Sequence, residues 1–372
     1  MMDAGSTGSR IHIYRFAQRA DGSLKLENEI FKQLKPGVSS FADEPHKAAE
    51  SIRPLLDEAV AAVPAELHAT TPIALYATAG LRLLPVAGQS DAILEELRGA
   101  LAASPFLFDP KDVAITQGKL EGVFAWTTVN FLLGNLDGNV VSGSNTAGII
   151  DLGGGSTQVV FEPAPPNDFH AKQVARSDTH AMFMGDRSHE LFAHSYLGYG
   201  LNSAAEKITR AHVTGGTHPC YPSGAAVPTG EGGGVSDIVG GSNAAECAKL
   251  IAGLIESKDS EVGMNLVASP DTTGVEWYIF SYFYDRLVEG VGLPSNTPLT
   301  VGQVSAAADS VCRLSLSEVR KHYPNAESPD RFCMDVTFCG VLLRQGCENP
   351  PKLLVSADRK PNRPHSCNLT AY

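Results

Sequence analysis

The chain has 372 residues, of which 43% are hydrophobic and 19% charged, a composition typical of a soluble globular protein with room for two domains. The net charge of −12 argues against a nucleic-acid-binding protein, because no basic field would attract a phosphate backbone. No run approaches the roughly 20 apolar residues of a membrane span. An acidic chain that handles phosphate must supply positive charge locally, through backbone N–H groups, a few Arg side chains or a bound cation.

Strands and helices alternate in the first half of the sequence, which predicts an α/β core with a parallel sheet. From about residue 345 the sequence becomes proline-rich and polar, and we expect a poorly ordered tail over 345–372. Two further stretches rich in Pro, Gly or Ser, 162–168 and 213–243, predict surface loops. The predicted strands are 2–16 (interrupted by a glycine turn), 73–78, 113–116, 147–152 and 158–161, and the predicted helices are 45–62, 91–103 and 118–133.

One short pattern occurs twice, each time at the end of a strand. It reads Asp3-Ala-Gly-Ser-Thr-Gly-Ser9 near the start and Asp151-Leu-Gly-Gly-Gly-Ser-Thr157 later. The two aspartates are roughly 150 residues apart, a distance that suggests two similar halves facing one cleft. The predicted domains are therefore residues 1–147 and 148–344.

Both copies of the pattern have the composition of a phosphate-binding loop. Glycines allow a tight turn to present successive N–H groups to phosphate oxygens, and the Ser and Thr hydroxyls add donors. Asp3 and Asp151, at the strand ends, are suited to hold hydrated Mg²⁺ or Ca²⁺. Neither loop contains the GK[ST] step of a Walker-type loop. A single glycine turn is usually structural, so it is the presence of two matching loops that indicates phosphate binding.

Other candidate residues have structural alternatives of comparable weight. Glu121 follows Gln117-Gly-Lys-Leu at a helix start, where it is either a general base or an acid that stabilises the helix end. Thr78 either helps to form a site or ends a strand, and Gln158 is either functional or an ordinary strand residue. The aromatic run 282–284 is either a base-stacking platform or part of the core. The seven cysteines, none in CxxC spacing, are either reduced thiols or disulfides.

Four segments, taken in order, resemble the motifs of the apyrases, or nucleoside triphosphate diphosphohydrolases: DAGSTGSRIHIY, ATAGLRLL, QGKLEGVFAWTTVNFLLG and IIDLGGGSTQVVFEP. They cover residues 2–162, and weaker likeness (SYLGYGL, WYIFSYFYDRL, CMD) continues to about 345. HSYLGYGL and KPGVSSF look most like the fungal Golgi guanosine-diphosphatase branch. The resemblance implies an α/β fold of two actin-like (ribonuclease-H-like) domains flanking a nucleotide cleft.

The resemblance also implies an activity, which is hydrolysis of nucleoside di- or triphosphates to the monophosphate and phosphate with Ca²⁺ or Mg²⁺. Glu121 would activate water, Asp3 and Asp151 would organise the metal, and Tyr284 would contact the base. Thr78 and Gln158 would also help to place the metal and the water. The implied disulfides are Cys220–Cys247 and Cys312–Cys333, in a Golgi lumen. The residues implied to bind phosphate or nucleotide are Ser6, Thr7, Gly8, Thr78, Gly153, Gly154, Gly155, Ser156, Thr157 and Gln158.

The sequence departs from this family at several points. Relatives have a longer first strand, often preceded by a membrane anchor, as well as a Gly-Trp-Ala-Leu-Gly motif and a closing helix that are missing here. A cysteine-containing segment expected near 257–273 is replaced by other residues. We therefore expect the chain as given to be unstable, and a non-catalytic nucleotide-binding remnant or a phosphotransferase of the same superfold remains an alternative. Base preference, and the pairing of Cys339, Cys347 and Cys367, stay open.

Overall fold

The computed structural model describes residues 1–20, 24–136, 146–163, 178–184, 187–211, 216–228, 235–256, 275–295, 297–346 and 353–355. The chain forms two compact units, Met1–Glu121 and Gly122–Ala357. The division falls inside the helix Gly118–Leu132, whereas the sequence predicted a boundary after residue 147.

The first unit is built on a five-stranded sheet in the order β3-β2-β1-β4-β5. Strand β1 pairs antiparallel with β2 and parallel with β4, so both of its edges are bonded despite its short length. Its elements are β1 (Met2–Ala4), β2 (Ser9–Gln18), β3 (Leu24–Leu34), a 3-10 helix (Val38–Phe41), α1 (Pro45–Ala62), a second 3-10 helix (Ala65–Thr70), β4 (Pro72–Ala77), α2 (Ala79–Arg82), α3 (Gln89–Ala102), β5 (Leu107–Ile115) and the first turn of α4 (Gly118–Leu132).

Helix α1 shows how hydrophobic spacing predicts an element of the first half, whereas β3 was not among the predicted strands. Pro45 begins the helix, where its missing N–H costs nothing. Ile52, Leu55 and Ala59 recur at spacings of three and four residues and are buried in the core of the first unit. The predicted bounds, 45–62, are those observed.

The second unit is built on a seven-stranded sheet in the order β14-β15-β13-β6-β7-β9-β8. Its elements are the rest of α4, β6 (Gly148–Leu152), β7 (Ser156–Phe161), β8 (Thr179–Met184), β9 (Arg187–Leu197), α5 (Leu201–Arg210), β10 (Thr217–His218), β11 (Ala226–Pro228), β12 (Val235–Gly240), α6 (Ala244–Glu256), β13 (Trp277–Ser281), a π-helix (Tyr284–Gly290), β14 (Pro298–Leu299), α7 (Val301–Val311), α8 (Leu316–His322), α9 (Phe332–Gly346) and β15 (Leu353–Val355).

Five strands of the second sheet repeat the topology of the first. Strands β9-β7-β6-β13-β15 correspond to β3-β2-β1-β4-β5, in the same order. The directions also correspond, because each central strand has an antiparallel neighbour on one side and a parallel neighbour on the other. The repeat predicted from two short loops is therefore present in the strand order of both units.

Two predictions about irregular segments are corrected. The stretch 213–243 contains the small sheet β10-β12-β11, and its His218 and Cys220 are fully buried. A disulfide from Cys220 to Cys247 of α6 links this small sheet to the core, which its glycine-rich composition does not reveal. Within the predicted tail, Leu353–Val355 forms a strand parallel to β13 because it continues the main sheet.

The described cysteines agree with the resemblance. Cys220–Cys247 and Cys312–Cys333 are disulfides, and Cys339 is a buried free thiol. Cys347, Cys367 and the segment 257–273 lie outside the described residues. No helix in the described part of the chain is long and apolar enough to cross a membrane.

Candidate active site

Phosphate loop 1, residues 5–8, connects β1 to β2 in the first unit. Asp3 lies opposite Arg10 in the register of these strands, and the Arg10 guanidinium donates a hydrogen bond of 2.8 Å to the Asp3 carboxylate. Burial raises the pKa of Asp3, and the neighbouring Arg10 opposes that shift. The aspartate expected to organise a metal is therefore paired with an arginine of its own unit.

Two glycines fix the position of loop 1 by close backbone approach. A Cβ atom on Gly37, just before the first 3-10 helix, would collide with the Gly5 carbonyl oxygen. A Cβ on Gly80 of α2 would lie 2.8 Å from the Ser6 Cα atom. Because no side chain fits at either position, these glycines allow the loop to be supported directly by backbone.

Thr78 adjoins this loop, directly after β4. Its backbone N–H donates to the Ala4 carbonyl at 3.3 Å, which places it beside the end of β1. Its own carbonyl accepts from Leu81 in the first turn of α2. The parallel pairing of β1 and β4 therefore gathers Thr78 and loop 1 at one end of the first sheet.

Glu121 lies in the first turn of α4, and its carboxylate accepts a hydrogen bond of 2.9 Å from Arg82. The same guanidinium donates from its other terminal nitrogen to the Thr116 carbonyl at 3.0 Å, so two hydrogen bonds fix its position. Burial raises the pKa of Glu121 to about 7, Arg82 opposes the rise and Asp3 adds to it. A carboxyl group with this pKa exchanges protons near neutral pH, as a general base must.

Phosphate loop 2, residues 153–155, connects β6 to β7 in the second unit. The carbonyl of Gly153 accepts from Leu201 at 2.9 Å, and the carbonyl of Gly154 accepts from Asn202 at 3.0 Å. Helix α5 has no side-chain cap at its start, so the loop carbonyls satisfy N–H groups that a helix otherwise leaves unbonded. Loop 2 is thus the cap of α5.

This arrangement sets the direction in which the loop donates. In a planar trans peptide the N–H points opposite to the C=O of the same unit. Because the carbonyls of Gly153 and Gly154 point toward α5, the N–H groups of Gly154 and Gly155 point to the other side. Successive N–H groups with a common direction form an anion-binding concavity.

Gly200 supports loop 2 as Gly37 supports loop 1. A Cβ atom there would lie 2.5 Å from the Gly155 nitrogen and closer still to the Gly154 carbonyl carbon. The φ of Gly200 is −71°, which any residue adopts, so close approach alone accounts for the glycine. Gly37 follows β3 and Gly200 follows β9, the equivalent strand of the second sheet.

Asp151 and Gln158 face each other across β6 and β7. Directly opposed residues share a face of the sheet with Cβ atoms roughly 5 Å apart. The Gln158 amide donates to Ser156 at 2.7 Å and to Ser195 at 2.8 Å, which fixes its orientation. Its buried carbonyl oxygen has no hydrogen-bond partner among the residues described, so an acceptor is left for a ligand or water.

The remaining expected residues are distributed as follows. Ser6 and Thr7 are half-buried within loop 1, and Gly8 is buried. Thr157 is fully buried and its hydroxyl donates to the Tyr199 carbonyl at 2.8 Å, so it braces loop 2 from within. Tyr284 begins the π-helix and packs, half-buried, against the core of the second unit.

Sequence reasoning missed four residues that the structure adds: Arg10 and Arg82, which bind the acidic groups, and Gly37 and Gly200, which support the loops. All four lie in segments noted for their resemblance, in DAGSTGSR, ATAGLRLL, KPGVSSF and SYLGYGL. The motifs therefore indicate where these residues lie in the sequence. The role of each residue depends on which strands and helices are its neighbours in the fold.

Comparison with known proteins finds relatives that match most of the chain. The chain is 37% identical over 361 residues to ectonucleoside triphosphate diphosphohydrolase 6 of Homo sapiens, a match covering 93% of this chain and 70% of that protein. It is 35% identical over 391 residues to guanosine-diphosphatase of Schizosaccharomyces pombe, covering 94% and 68%. It is also 35% identical over 380 residues to ectonucleoside triphosphate diphosphohydrolase 5 of Gallus gallus, covering 97% and 83%.

Solved structures show the same fold at low sequence identity. A nucleoside triphosphate hydrolase from Neospora caninum superposes with a TM-score of 0.66 at 15% identity, covering 95% of this chain and 87% of that one. The Aquifex aeolicus Ppx/GppA family member gives a TM-score of 0.53 at 15% identity, covering 95% and 92%. The two-domain actin-like fold expected from the resemblance is confirmed.

The family itself follows from the sequence match. A profile of the GDA1/CD39 (nucleoside phosphatase) family matches residues 1–357, and the relatives above are matched over most of this chain. The enzyme class implied by the resemblance, a hydrolase acting on phosphoanhydrides, is confirmed at this level. The chain belongs to the GDA1/CD39 family of nucleoside phosphatases.

Proposed function

We propose that this protein hydrolyses the terminal phosphoanhydride of nucleoside diphosphates, with GDP and UDP preferred and triphosphates also accepted, and that Glu121 is the general base. The observation that carries the proposal is the environment of Glu121, partly buried beside Arg82 with a pKa of about 7. The name of the fission yeast relative, guanosine-diphosphatase, supports a diphosphate substrate.

In the proposed reaction a water oxygen attacks the terminal phosphorus while Glu121 takes one proton from that water. The phosphoanhydride bond breaks and its electron pair leaves with the oxygen of the nucleotide product. The N–H groups of loop 2 stabilise charge on the phosphate oxygens as it develops. A base positioned in this way typically contributes roughly 10²–10⁴-fold to the rate.

A divalent cation fits the donor set of the chain. Among the residues described, no group of three or more His, Cys, Asp or Glu side chains is arranged to hold a metal ion by itself. Mg²⁺ is commonly bound by one or two carboxylates, with waters and phosphate oxygens as the other ligands, and Ca²⁺ also takes hard oxygen ligands. Asp151 and the Gln158 carbonyl oxygen supply such groups, and bound Mg²⁺ or Ca²⁺ would supply positive charge beside the phosphate.

The two expected metal-organising aspartates stand at the same position of the repeat, each on a central strand just before a glycine loop. Asp3 is paired with Arg10, and Asp151 lies opposite Gln158 in the strand register. We assign a role in organising the cation to both carboxylates.

Two further assignments belong to the proposal. Tyr284 contacts the base, as the resemblance implies, from its half-buried position at the start of the π-helix. Two disulfides suit an oxidising compartment, so we place the protein in the secretory pathway, in the Golgi lumen by resemblance.

The test is a phosphate-release assay over GDP, UDP, ADP and the triphosphates, with Mg²⁺, Ca²⁺ or EDTA and no acceptor molecule. The parent chain is expected to release phosphate only with a divalent cation. Glu121→Gln is expected to lower kcat at least a hundredfold while nucleotide affinity stays within about threefold, because the base is lost and the loops are intact.

Other results would exclude the proposal in distinct ways. Phosphate transfer that requires a second substrate would identify a phosphotransferase, and nucleotide binding without turnover would identify a binding remnant. A Glu121→Gln variant that retains near-parental kcat would remove Glu121 from the role of base.

A further inference from the structure

The first turn of α5 determines the position of phosphate loop 2. Leu201, Asn202 and Ser203 donate their backbone N–H groups to the carbonyls of Gly153 and Gly154, at 2.9 to 3.2 Å. Any displacement of this turn therefore moves the loop whose N–H groups point to the opposite side. The side chains that hold the first turn of α5 then act on the phosphate site.

The side chain of Asn202 links this turn to two other parts of the second unit. Arg331, just before α9, donates from Nη2 to the Asn202 Oδ1 atom at 2.6 Å. The Asn202 amide nitrogen in turn lies 3.5 Å from the Tyr282 hydroxyl at the end of β13. One side chain thus connects α5 to two distant parts of the sequence.

Arg331 is in turn anchored by a buried ion cluster. Its Nε atom lies 3.3 Å from the Asp335 carboxylate, which is fully buried on α9. Arg286 of the π-helix donates to the other oxygen of Asp335 at 2.8 Å and also binds Glu327 at 3.1 Å. The two charge-assisted hydrogen bonds of Arg286 are directional and costly to break, so they fix the position of the Asp335 carboxylate. Arg331 is held beside that carboxylate as an ion pair.

We propose that Asn202 and Arg331 are positioning residues for phosphate loop 2. They connect the buried Asp335 cluster to the first turn of α5, and this connection fixes where the N–H groups of Gly154 and Gly155 lie. The inference rests on the proposed function of the loop as a phosphate cradle. Neither side chain needs to touch the substrate. Their effect falls on the geometry of the reacting phosphate, so turnover depends on them more than nucleotide affinity does.

The pair is tested with Asn202→Ala, Asn202→Asp, Arg331→Met and the double variant Asn202→Ala/Arg331→Met. Asn202→Ala and Arg331→Met are each expected to lower kcat roughly tenfold or more, with KM changed less than about threefold, since a misplaced donor costs mainly transition-state stabilisation. The factor is expected to be the same for GDP and UDP, because the loop contacts phosphate and not base.

Two variants separate positioning from bulk stability. Asn202→Asp keeps an oxygen that accepts from Arg331 and is expected to retain kcat within about twofold of the parent. The double variant is expected to be no slower than the slower single variant, because both changes break one connection. Glu206→Ala, an exposed residue of the same helix, is the matched control and is expected to leave kcat unchanged.

Three results would overturn the inference. Parental kcat in Asn202→Ala would show that the connection does not act on the loop. A loss confined to KM and different for GDP and UDP would place Arg331 or Asn202 at the base. A lower Tm with an unchanged kcat per folded molecule would mark a purely structural contact. A parent chain that releases no phosphate from either nucleotide would instead overturn the proposed function, and this inference with it.

Discussion

Glu121 is subject to opposing electrostatic influences within its own unit. Burial and the negative charge of Asp3 favour the protonated carboxyl, while Arg82 favours the carboxylate, and the resulting pKa is about 7. The form that accepts a proton from water is the carboxylate. Activity limited by this group therefore rises with pH through about 7 and is lost as pH falls below that value.

Replacing Arg82 tests this balance. Arg82→Met removes the positive charge that lowers the pKa of Glu121, so the pKa rises and the acidic limb of kcat/KM moves to higher pH. The measurement is kcat/KM from about pH 5 to about pH 9, which reports the groups of the free enzyme. An acidic limb unmoved by the substitution would show that another group controls it.

Arg98→Met is the matched control for that experiment. Arg98 also donates to backbone carbonyls, those of Pro110 and Val113, at 3.2 and 3.1 Å. It contacts no group of the proposed site, so its loss should cost some stability and leave the pH profile in place. A shift of the limb in both variants would point to a general structural effect.

The residues themselves were unequally predictable from the sequence. Asp3 and Glu121 lie in short motifs whose residue types alone suggest a role for each carboxylate. Arg10 and Arg82 stand in the same motifs, but their roles depend on partners that the fold supplies across a strand pair or from another helix. Spacing along the chain does not reveal such partners.

At the scale of elements, β3 of the first sheet and its counterpart β9 of the second are each followed by a glycine that supports a loop predicted to bind phosphate. Gly200→Ala places a methyl group against the backbone of Gly154 and Gly155, where no flexible side chain can move aside. We expect a loss of about 1–3 kcal/mol in unfolding free energy and a drop in kcat, because the loop must shift. Denaturant unfolding and steady-state kinetics measure the two effects.

Gly253→Ala supplies the comparison. Gly253 lies exposed in α6 with open space around the added Cβ atom, so Ala is expected to stabilise the helix by about 0.5–1 kcal/mol. Its kcat should equal that of the parent. If Gly200→Ala behaves like Gly253→Ala, loop 2 is not held by close backbone approach.

Elements in which buried residues recur with a regular spacing were predicted well. Segments whose structure depends on a disulfide or on contacts with distant residues were not. Helix α1 matched its predicted bounds because its buried residues recur with helical spacing. The composition of the stretch 213–243, dominated by Gly, Pro and Ser, predicts a surface loop. There, short strands, a buried His218 and the Cys220–Cys247 disulfide maintain the order.

At the scale of the whole molecule, the two disulfides found among the described residues both lie in the second unit. Each closes a short loop, with sequence separations of 27 and 21 residues, and chain-entropy arguments assign about 3 kcal/mol to such a loop. Replacing both Cys312 and Cys333 with Ala is expected to lower the unfolding free energy by about that amount. Peptide mapping without reductant is expected to find both bridges in the parent.

Cys339→Ala is the control, since it removes a buried thiol without opening a bridge. Its effect on stability should be clearly smaller than that of the double replacement. Alkylation of every cysteine in the unreduced protein would contradict the bridges and the proposed oxidising compartment together.

The capping of α5 by loop 2 has an electrical consequence for the substrate. A helix carries a partial positive charge at its N-terminus, and each peptide group has its own dipole with the N–H end positive. The peptide units of loop 2 lie with their carbonyls on α5 and their N–H groups away from it. The dipoles of these peptide units therefore align with the dipole of α5 and add to it. A phosphate bound on the N–H side of loop 2 would be stabilised by the charge of the α5 N-terminus without contacting that helix. The strength of the α5 field at the loop N–H groups therefore depends on the hydrogen bonds between the loop carbonyls and the first turn of α5.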